Sequence, residues 1–535
     1  MSFVYWPGVH AFWGRDDFMQ LAVARLIGSP WPLFTHDHFV VPGSVFRPLG
    51  FASMWLCQVL LGTAYAPNAM ADLALHAGVS VALFCLLRQT RIAYPVALSC
   101  ALLFALHPAV LGTALWWSAR FDLLATLFVL LALHAGSAYR EHQRVGALIG
   151  ALAAALAAML SKETGLIAVA ALTLVWVRWA CCEPLHRKRA LRAVAWAWSC
   201  ALFWLAWRAL VLGTAASDLT GALPLGRAIA KGLFDWVQQA PGYLSFWTRL
   251  APAQHIALGA ALTLMAAATV ATLTRRRARS SSPKYADLAL CGACLLLLPA
   301  LVQAPVAALN AAPLDAGVSA IEAAMQSRLY YLGIAGAVAM LAVVVAMLWN
   351  LATTRLRGVI AMSLTIAVLA LASASREAAQ AFAQRSVAIS AVARDAVAAV
   401  AKLDLPGSGC HVVFLGIEPA PEWSSFVSMD SIIKALSPEL ARVEHCWFHT
   451  EVRTYFQLQA APASMADAAP YAPFTADGRV IGWRTIGGLT IAYLRPPPVA
   501  NAGVFARMKF LRYRNGRFDD VSADVAAGLV SVRLQ

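Results

Sequence analysis

Charge is what this chain has least of. Asp, Glu, Lys and Arg together make up 13% of its 535 residues, where soluble chains carry roughly 25%. Acid is scarcer than base, 27 residues against 42. Also missing are a P-loop, a dinucleotide-binding glycine motif, zinc-ligand spacing and an internal repeat. These absences exclude a soluble nucleotide-fold enzyme and a solenoid scaffold. The first 13 residues have no basic leader and no small-residue cleavage site, so no cleavable signal peptide is expected. They are also shorter than the roughly 20 residues a bilayer span needs. They are therefore expected to be the tail of a truncated first span, or else the start of the chain is set late.

What is present is apolar. Hydrophobic residues are 60% of the chain, against roughly 45–50% in soluble proteins. A net charge of +15 would suit nucleic acid, but the basic residues come in short clusters between apolar runs. That is the pattern of cytoplasmic loops, and no nucleic-acid partner is expected. The expected class is a polytopic α-helical membrane protein. About ten full spans are read at 68–87, 93–111, 121–138, 145–160, 163–179, 192–213, 255–274, 286–303, 329–349 and 358–374. Their Ala and Gly content suits helices that pack closely in lipid. Residues 46–63 read better as an interfacial helix than as a span, because Pro48, Gly50 and Gln58 interrupt them.

Orientation follows from the cations. Of the 26 Lys and Arg in residues 1–375, 16 fall in alternate loops, at 88–91, 140–144, 178–192, 275–284 and 355–357. Short basic loops stay in the cytoplasm. The opposite, outer side then receives Arg15, Arg25, Arg47, Arg120, Lys162, Arg227, Lys231, Arg249 and Arg328, together with Asp16, Asp17, Asp122 and Glu163. Ionisable groups are costly at a membrane unless they serve something. Their gathering on one face is what an active site requires. An aromatic and basic stretch at 225–250 on the same side suits a helix lying in the headgroup layer.

The composition changes at residue 376. Residues 376–535 carry 16 basic and 14 acidic residues and read as a small C-terminal soluble α/β domain, with 1–375 as the transmembrane domain. An Ala-rich helix is expected over 376–402, strands at 411–417, 480–485 and 489–494, and a helix at 429–440. Cys410 and Cys446 are the two cysteines of that domain. On the outer face they either form a disulfide or stay as buried thiols. Cys291-Gly292-Ala293-Cys294 has redox spacing but lies in an apolar span, which argues against chemistry there.

Three ordered motifs lie on the outer face. The first runs from His107-Pro108 to Arg120-Phe121-Asp122-Leu123-Leu124. The second is Ser161-Lys162-Glu163-Thr164-Gly165, and the third Arg328-Leu329-Tyr330-Tyr331. With Arg47-Pro48-Leu49 before them, the set resembles the GT-C membrane glycosyltransferases. The branch is that of the transmembrane O-mannosyltransferases that usually carry TPR repeats, together with their bacterial relatives. The resemblance covers about residues 10–375. Gly112 stands where the family usually has Glu, and the repeat array is replaced by the α/β domain, so no particular sugar is implied.

The resemblance implies an inverting transfer of a sugar from a polyprenyl-phosphate donor to an acceptor hydroxyl on a protein, lipid or glycan. Asp16 or Asp17 would be the catalytic carboxylate, with Asp122 a second acid. His107, Arg120, Lys162, Glu163 and Arg328 would surround the donor phosphate, and Tyr330 and Tyr331 would line the sugar or lipid pocket. No metal ligands are assigned, and a divalent metal is left as an optional helper. Expected localisation is a bacterial inner (plasma) membrane, with active site and C-terminal domain facing the periplasm. Plainer roles compete: Asp16-Asp17 as a helix start, Arg120 with Asp122 as a structural pair, and Lys162 snorkelling to the interface. Asp72 and His76, one turn apart, would satisfy each other or a neighbouring helix. A ligase or polymerase of lipid-linked glycans, a transporter or flippase, and a partner-binding scaffold are the rival functions.

Overall fold

The computed structural model describes residues 2–14, 16–39, 45–213, 283–310, 328–405, 410–417, 428–450 and 508–530, with shorter pieces at 227–234 and 457–495. Among the described residues, six helices are long and apolar enough to cross a membrane. They are Tyr65–Gln89, Trp117–His142, Glu163–Cys182, Pro184–Leu212, Arg328–Asn350 and Thr354–Val400. A seventh forms if the bent pair Tyr94–Ala105 and Pro108–Leu115 counts as one span. Val145–Ser161 is apolar but shorter, and Pro283–Asn310 covers the span read at 286–303. The protein is an integral membrane protein, mostly helical, with a small C-terminal sheet domain. Helices suit these runs because lipid offers no partner for a backbone N–H or C=O, so each must be satisfied within its own segment.

Two readings change in detail. The span at 93–111 is not continuous: it bends by 52° at His107-Pro108, where proline cannot donate to the preceding turn. The 376–402 helix does not start anew, since one helix runs Thr354–Ile389 and another follows at Ala391–Val400. The span read at 255–274 and nearly all of the 225–250 stretch lie outside the described residues.

The chain divides into two compact units. The first holds residues 1–10, 43–50 and 69–383, and the second holds 11–42, 51–68 and 384–535. In the first, Pro283–Asn310 and Tyr331–Leu351 cross where Gly292 meets Gly336. A Cβ on Gly336 would lie 2.6 Å from the Gly292 carbonyl oxygen. The glycine of the Cys-Gly-Ala-Cys run thus serves close packing, and Cys291 and Cys294 are buried free thiols. At the start of Pro283–Asn310, Asp287 accepts from Arg140 and Arg178, and Lys284 bonds Glu141 at 2.8 Å.

The second unit contains a four-stranded sheet in the order 517–520, 508–514, 411–415, 447–450. The two strands flanking His411–Leu415 run parallel to it, and Met508–Arg514 pairs antiparallel with Arg517–Asp520. That hairpin turns at Asn515-Gly516, both with positive φ (52° and 78°), as a two-residue turn matched to strand twist requires. His411–Leu415 is buried along its whole length, which suits a central parallel strand. The expected 429–440 helix stops at Leu436, ahead of Pro438, and a short turn of helix follows at Leu440–Val443. The strands read at 480–485 and 489–494 are interrupted. Trp483–Ile486 and Leu489–Ala492 pair in a second sheet with Gln457–Ala460.

Cys410 and Cys446 form a disulfide, Cα–Cα 4.6 Å, across 36 residues. Closing a loop of that length removes unfolded-state entropy worth about 4 kcal/mol. The Cys410→Ser, Cys446→Ser double variant is expected to lose about that much stability in this unit, read from its urea-unfolding midpoint.

A pH dependence comes from Trp447–Thr450, the strand that follows Cys446. Burial, with the charges of His411 and Lys434 adding to it, lowers the His449 imidazole to about 3. Unfolded, the ring would titrate near its ordinary 6.5, so acid protonates the unfolded form first. The stabilisation is whole above 6.5 and is lost as pH falls from there toward 3, by about 1.4 kcal/mol per unit. Thermal melts from pH 7.5 to 4.5 are expected to show this slope in the wild type and to lack it in His449→Phe.

Candidate active site

The Ser-Lys-Glu motif is a tight joint between two helices. Val145–Ser161 ends, Lys162 is extended (φ −163°, ψ 152°), and a 3-10 turn over Glu163–Gly165 leads into Leu166–Cys182. The joint closes only because residue 165 is glycine: a Cβ there would lie 2.2 Å from the Ala158 carbonyl carbon. Lys162, 6% exposed, places Nζ 2.5 Å from Asp122 Oδ1. Glu163 Oε2 accepts from Arg47, 2.9 Å from Nε and 2.8 Å from an Nη. Lys162–Asp122 is a buried pair, which is costly to leave half-made, about 3–5 kcal/mol when one partner is removed, whereas Arg47–Glu163 is half-buried.

Burial pushes the Lys162 ammonium down to about 8, and the nearby Arg47 and Arg328 push the same way against Asp122. The three cations therefore share one neighbourhood. Arg208, itself buried, lies within electrostatic reach of Glu163. The Arg328 guanidinium stacks 4.2 Å from the Trp116 ring, a cation–π contact from the other outer motif. Tyr330 and Tyr331 are buried.

Arg120 does not pair with Asp122. Its Nε meets Asp72 Oδ1 at 2.6 Å, both side chains 1% exposed, so the pair joins Trp117–His142 to Tyr65–Gln89. One turn on, His76 Nε2 lies 3.0 Å from the Ala105 carbonyl oxygen and Nδ1 2.6 Å from the Tyr331 hydroxyl. A carbonyl can only accept, so Nε2 donates to it, and in the neutral ring Nδ1 is left to accept a hydrogen bond from the Tyr331 hydroxyl. Asp72 and His76 thus satisfy neighbouring helices rather than each other. His107 caps the Pro108–Val110 turn, its Nδ1 accepting from the Ala109 N–H at 3.1 Å.

One end of the first unit thus holds Arg47, Arg120, Lys162, Arg208 and Arg328 against Asp72, Asp122 and Glu163. Among the described residues the cations there outnumber the carboxylates, which is the makeup of an anion site. Sequence reasoning placed Arg47 on the outer face without a role, and left Arg208 inside a span. The available signal for both was an arginine among apolar residues. Among the described residues no three His, Cys, Asp or Glu gather to hold a metal, and Asp122 and Glu163 already face cations, so these residues do not suit a divalent ion.

Asp16 and Asp17 belong to the second unit. They begin the Asp16–Leu26 helix, where negative charge complements the helix dipole. Asp17 is buried and its Oδ2 accepts from the Gly14 N–H at 3.2 Å, while its own N–H donates to the Gly14 carbonyl at 3.1 Å. The helix-start reading therefore holds for Asp17 alongside any chemical one. Asp16 is half-buried.

No protein-family model matches the chain, and no curated protein matches it. Among solved structures it is similar to ArnT from Cupriavidus metallidurans in the apo state, at 14% identity and a TM-score of 0.38, covering 91% of this chain and 95% of that one. A crystal structure of the same ArnT bound to undecaprenyl phosphate gives 16% identity, a TM-score of 0.36 and the same coverage.

Proposed function

We propose that this protein is a GT-C type glycosyltransferase that moves a sugar from a polyprenyl-phosphate donor to an acceptor hydroxyl, with inversion. The observation that carries the reading is that cations from three separate segments, Arg47, Lys162 and Arg328, share one neighbourhood around buried Lys162. A lipid phosphate is an anion that a membrane enzyme must hold and then release as a leaving group. Lys162, Arg47 and Arg328 suit that work as charge-assisted donors. In the transfer, the acceptor oxygen attacks the anomeric carbon and the bond from that carbon to the phosphate oxygen breaks. The acceptor proton goes to a carboxylate, and the phosphate leaves on its lipid carrier. Asp16 or Asp17 takes the proton, by its place in the resemblance; Asp122 restrains Lys162. Tyr331, held by His76, and Tyr330 wall the site.

The acceptor is a protein, lipid or glycan hydroxyl, and the O-mannosyl subtype is not assigned. The active site faces the periplasm of a bacterial inner membrane. The alternate basic loops support that placement, as does the Cys410–Cys446 disulfide, a bond that persists in oxidising compartments.

The test is release of polyprenyl phosphate from a polyprenyl-phosphate sugar by the protein in lipid nanodiscs, with hydroxyl acceptors of each class. Release with sugar on the acceptor is the expected result. An intact donor that only changes leaflet in liposomes would overturn the transferase reading in favour of a flippase.

A further inference from the structure

The C-terminal domain and the acidic first loop are one body. Residues 11–42 and 51–68 cluster with residues 384–535, although more than 300 residues separate them in sequence. The joint is specific. Arg25, in the last turn of the Asp16–Leu26 helix, shares the two hydrogens of one nitrogen, Nη1, among three carbonyl oxygens at the end of Met429–Leu436: Lys434 (2.8 Å), Ala435 (3.0 Å) and Ser437 (2.9 Å). Those are the carbonyls a helix leaves without partners, at its negative end. The receiving helix is itself locked. Asp430 and Lys434 form a fully buried pair at 2.8 Å, Asp430 accepts from the Leu458 N–H at 2.7 Å, and Lys434 donates to the Leu458 carbonyl.

Two more contacts bracket the aspartates. Before them, the Ser386 hydroxyl donates to the Phe12 carbonyl at 2.6 Å and accepts from the Phe12 N–H at 3.1 Å. After them, the Gly487-Gly488 turn abuts the helix end so closely that a Cβ on Gly488 would lie 2.9 Å from the Leu26 carbonyl oxygen.

We infer that the C-terminal domain is the element that positions the Asp16–Asp17 helix for transfer, and that Arg25 is its positioning residue. The inference rests on the catalytic reading of those aspartates. It gives the domain a part in the reaction of its own chain instead of the capture of a separate partner.

The test uses the full-length protein in nanodiscs with Arg25→Ala and Arg25→Lys, accepted once membrane insertion and the Cys410–Cys446 disulfide are verified. Two readouts are taken: hydrogen exchange of amides 16–26, and kcat and KM for the lipid donor. Arg25→Ala is expected to raise exchange in that helix at least tenfold and to lower kcat about 10–100-fold with KM within twofold. A single nitrogen serves all three carbonyls, so the three donors of a lysine ammonium should restore kcat to within about fivefold. Unchanged exchange, or an unchanged kcat, in Arg25→Ala overturns the inference. Asp16→Asn and Asp17→Asn, run beside it, separate the two claims. If either aspartate variant is inactive while Arg25→Ala is normal, only the positioning role falls. If both aspartate variants transfer normally, the catalytic reading fails and the positioning claim falls with it.

Discussion

Lys162→Ala is expected to slow sugar transfer by about 10²–10³-fold, the usual loss when one preorganised donor to developing charge is removed. The size follows from where the ammonium sits. At 6% exposure it is not snorkelling to water, and a charge held in a dry site acts more strongly than one in solvent. As the phosphate leaves, its charge grows, so the loss should fall on kcat more than on KM. Asp122→Asn should cost less, since it frees the ammonium without removing it. Lys162 also predicts a pH limb. Lowered to about 8, it loses its proton as pH rises through that value, so donor binding to the free enzyme should weaken above pH 8 with a one-proton slope. An ordinary lysine would hold until about 10.4. Single-turnover rates with a labelled donor, from pH 6 to 10, measure both effects. A rate within threefold of wild type in Lys162→Ala would remove the phosphate clamp from the account.

The second large effect separates the two aspartates. Losing a general base costs about 10²–10⁴-fold, and only the carboxylate that takes the acceptor proton should show it. Both asparagine substitutions test this. Asparagine keeps an oxygen that can accept from the Gly14 N–H, as Asp17 does at 3.2 Å, so the turn survives while basicity is lost. Asp16 is the more open of the two, and Asp16→Asn changes basicity with less structural consequence. The expected pattern is one variant inactive and the other within about tenfold of wild type, with both inserted normally. Equal and near-normal rates in both would refute a catalytic carboxylate in this loop.

Much of the architecture was legible because lipid imposes one rule on every segment. Nine of the expected spans fall on helices in the described residues, and alternation of Lys and Arg gathered Arg47, Lys162 and Arg328 on one side before any coordinates. Pairing was not legible. Arg120 and Asp122 are two residues apart, and i,i+2 positions on a helix do not face each other; each therefore pairs elsewhere, Arg120 with Asp72 and Asp122 with Lys162. The joining of residues 11–68 to the C-terminal domain left no local trace, because Arg25 bonds backbone carbonyls, which any sequence supplies. The hairpin over 508–520 does carry a local signal. Asn515-Gly516 between alternating side chains is among the strongest short-range turn signals.

The Cys410–Cys446 link also sets a timetable. Its partners leave the ribosome only after the apolar segments before them, so the bond forms late, and on chains already inserted. Cells with impaired thiol oxidation should accumulate protein of normal length and normal insertion that is cut by protease between 384 and 535. The same cells grown with a small-molecule disulfide should recover the resistant form.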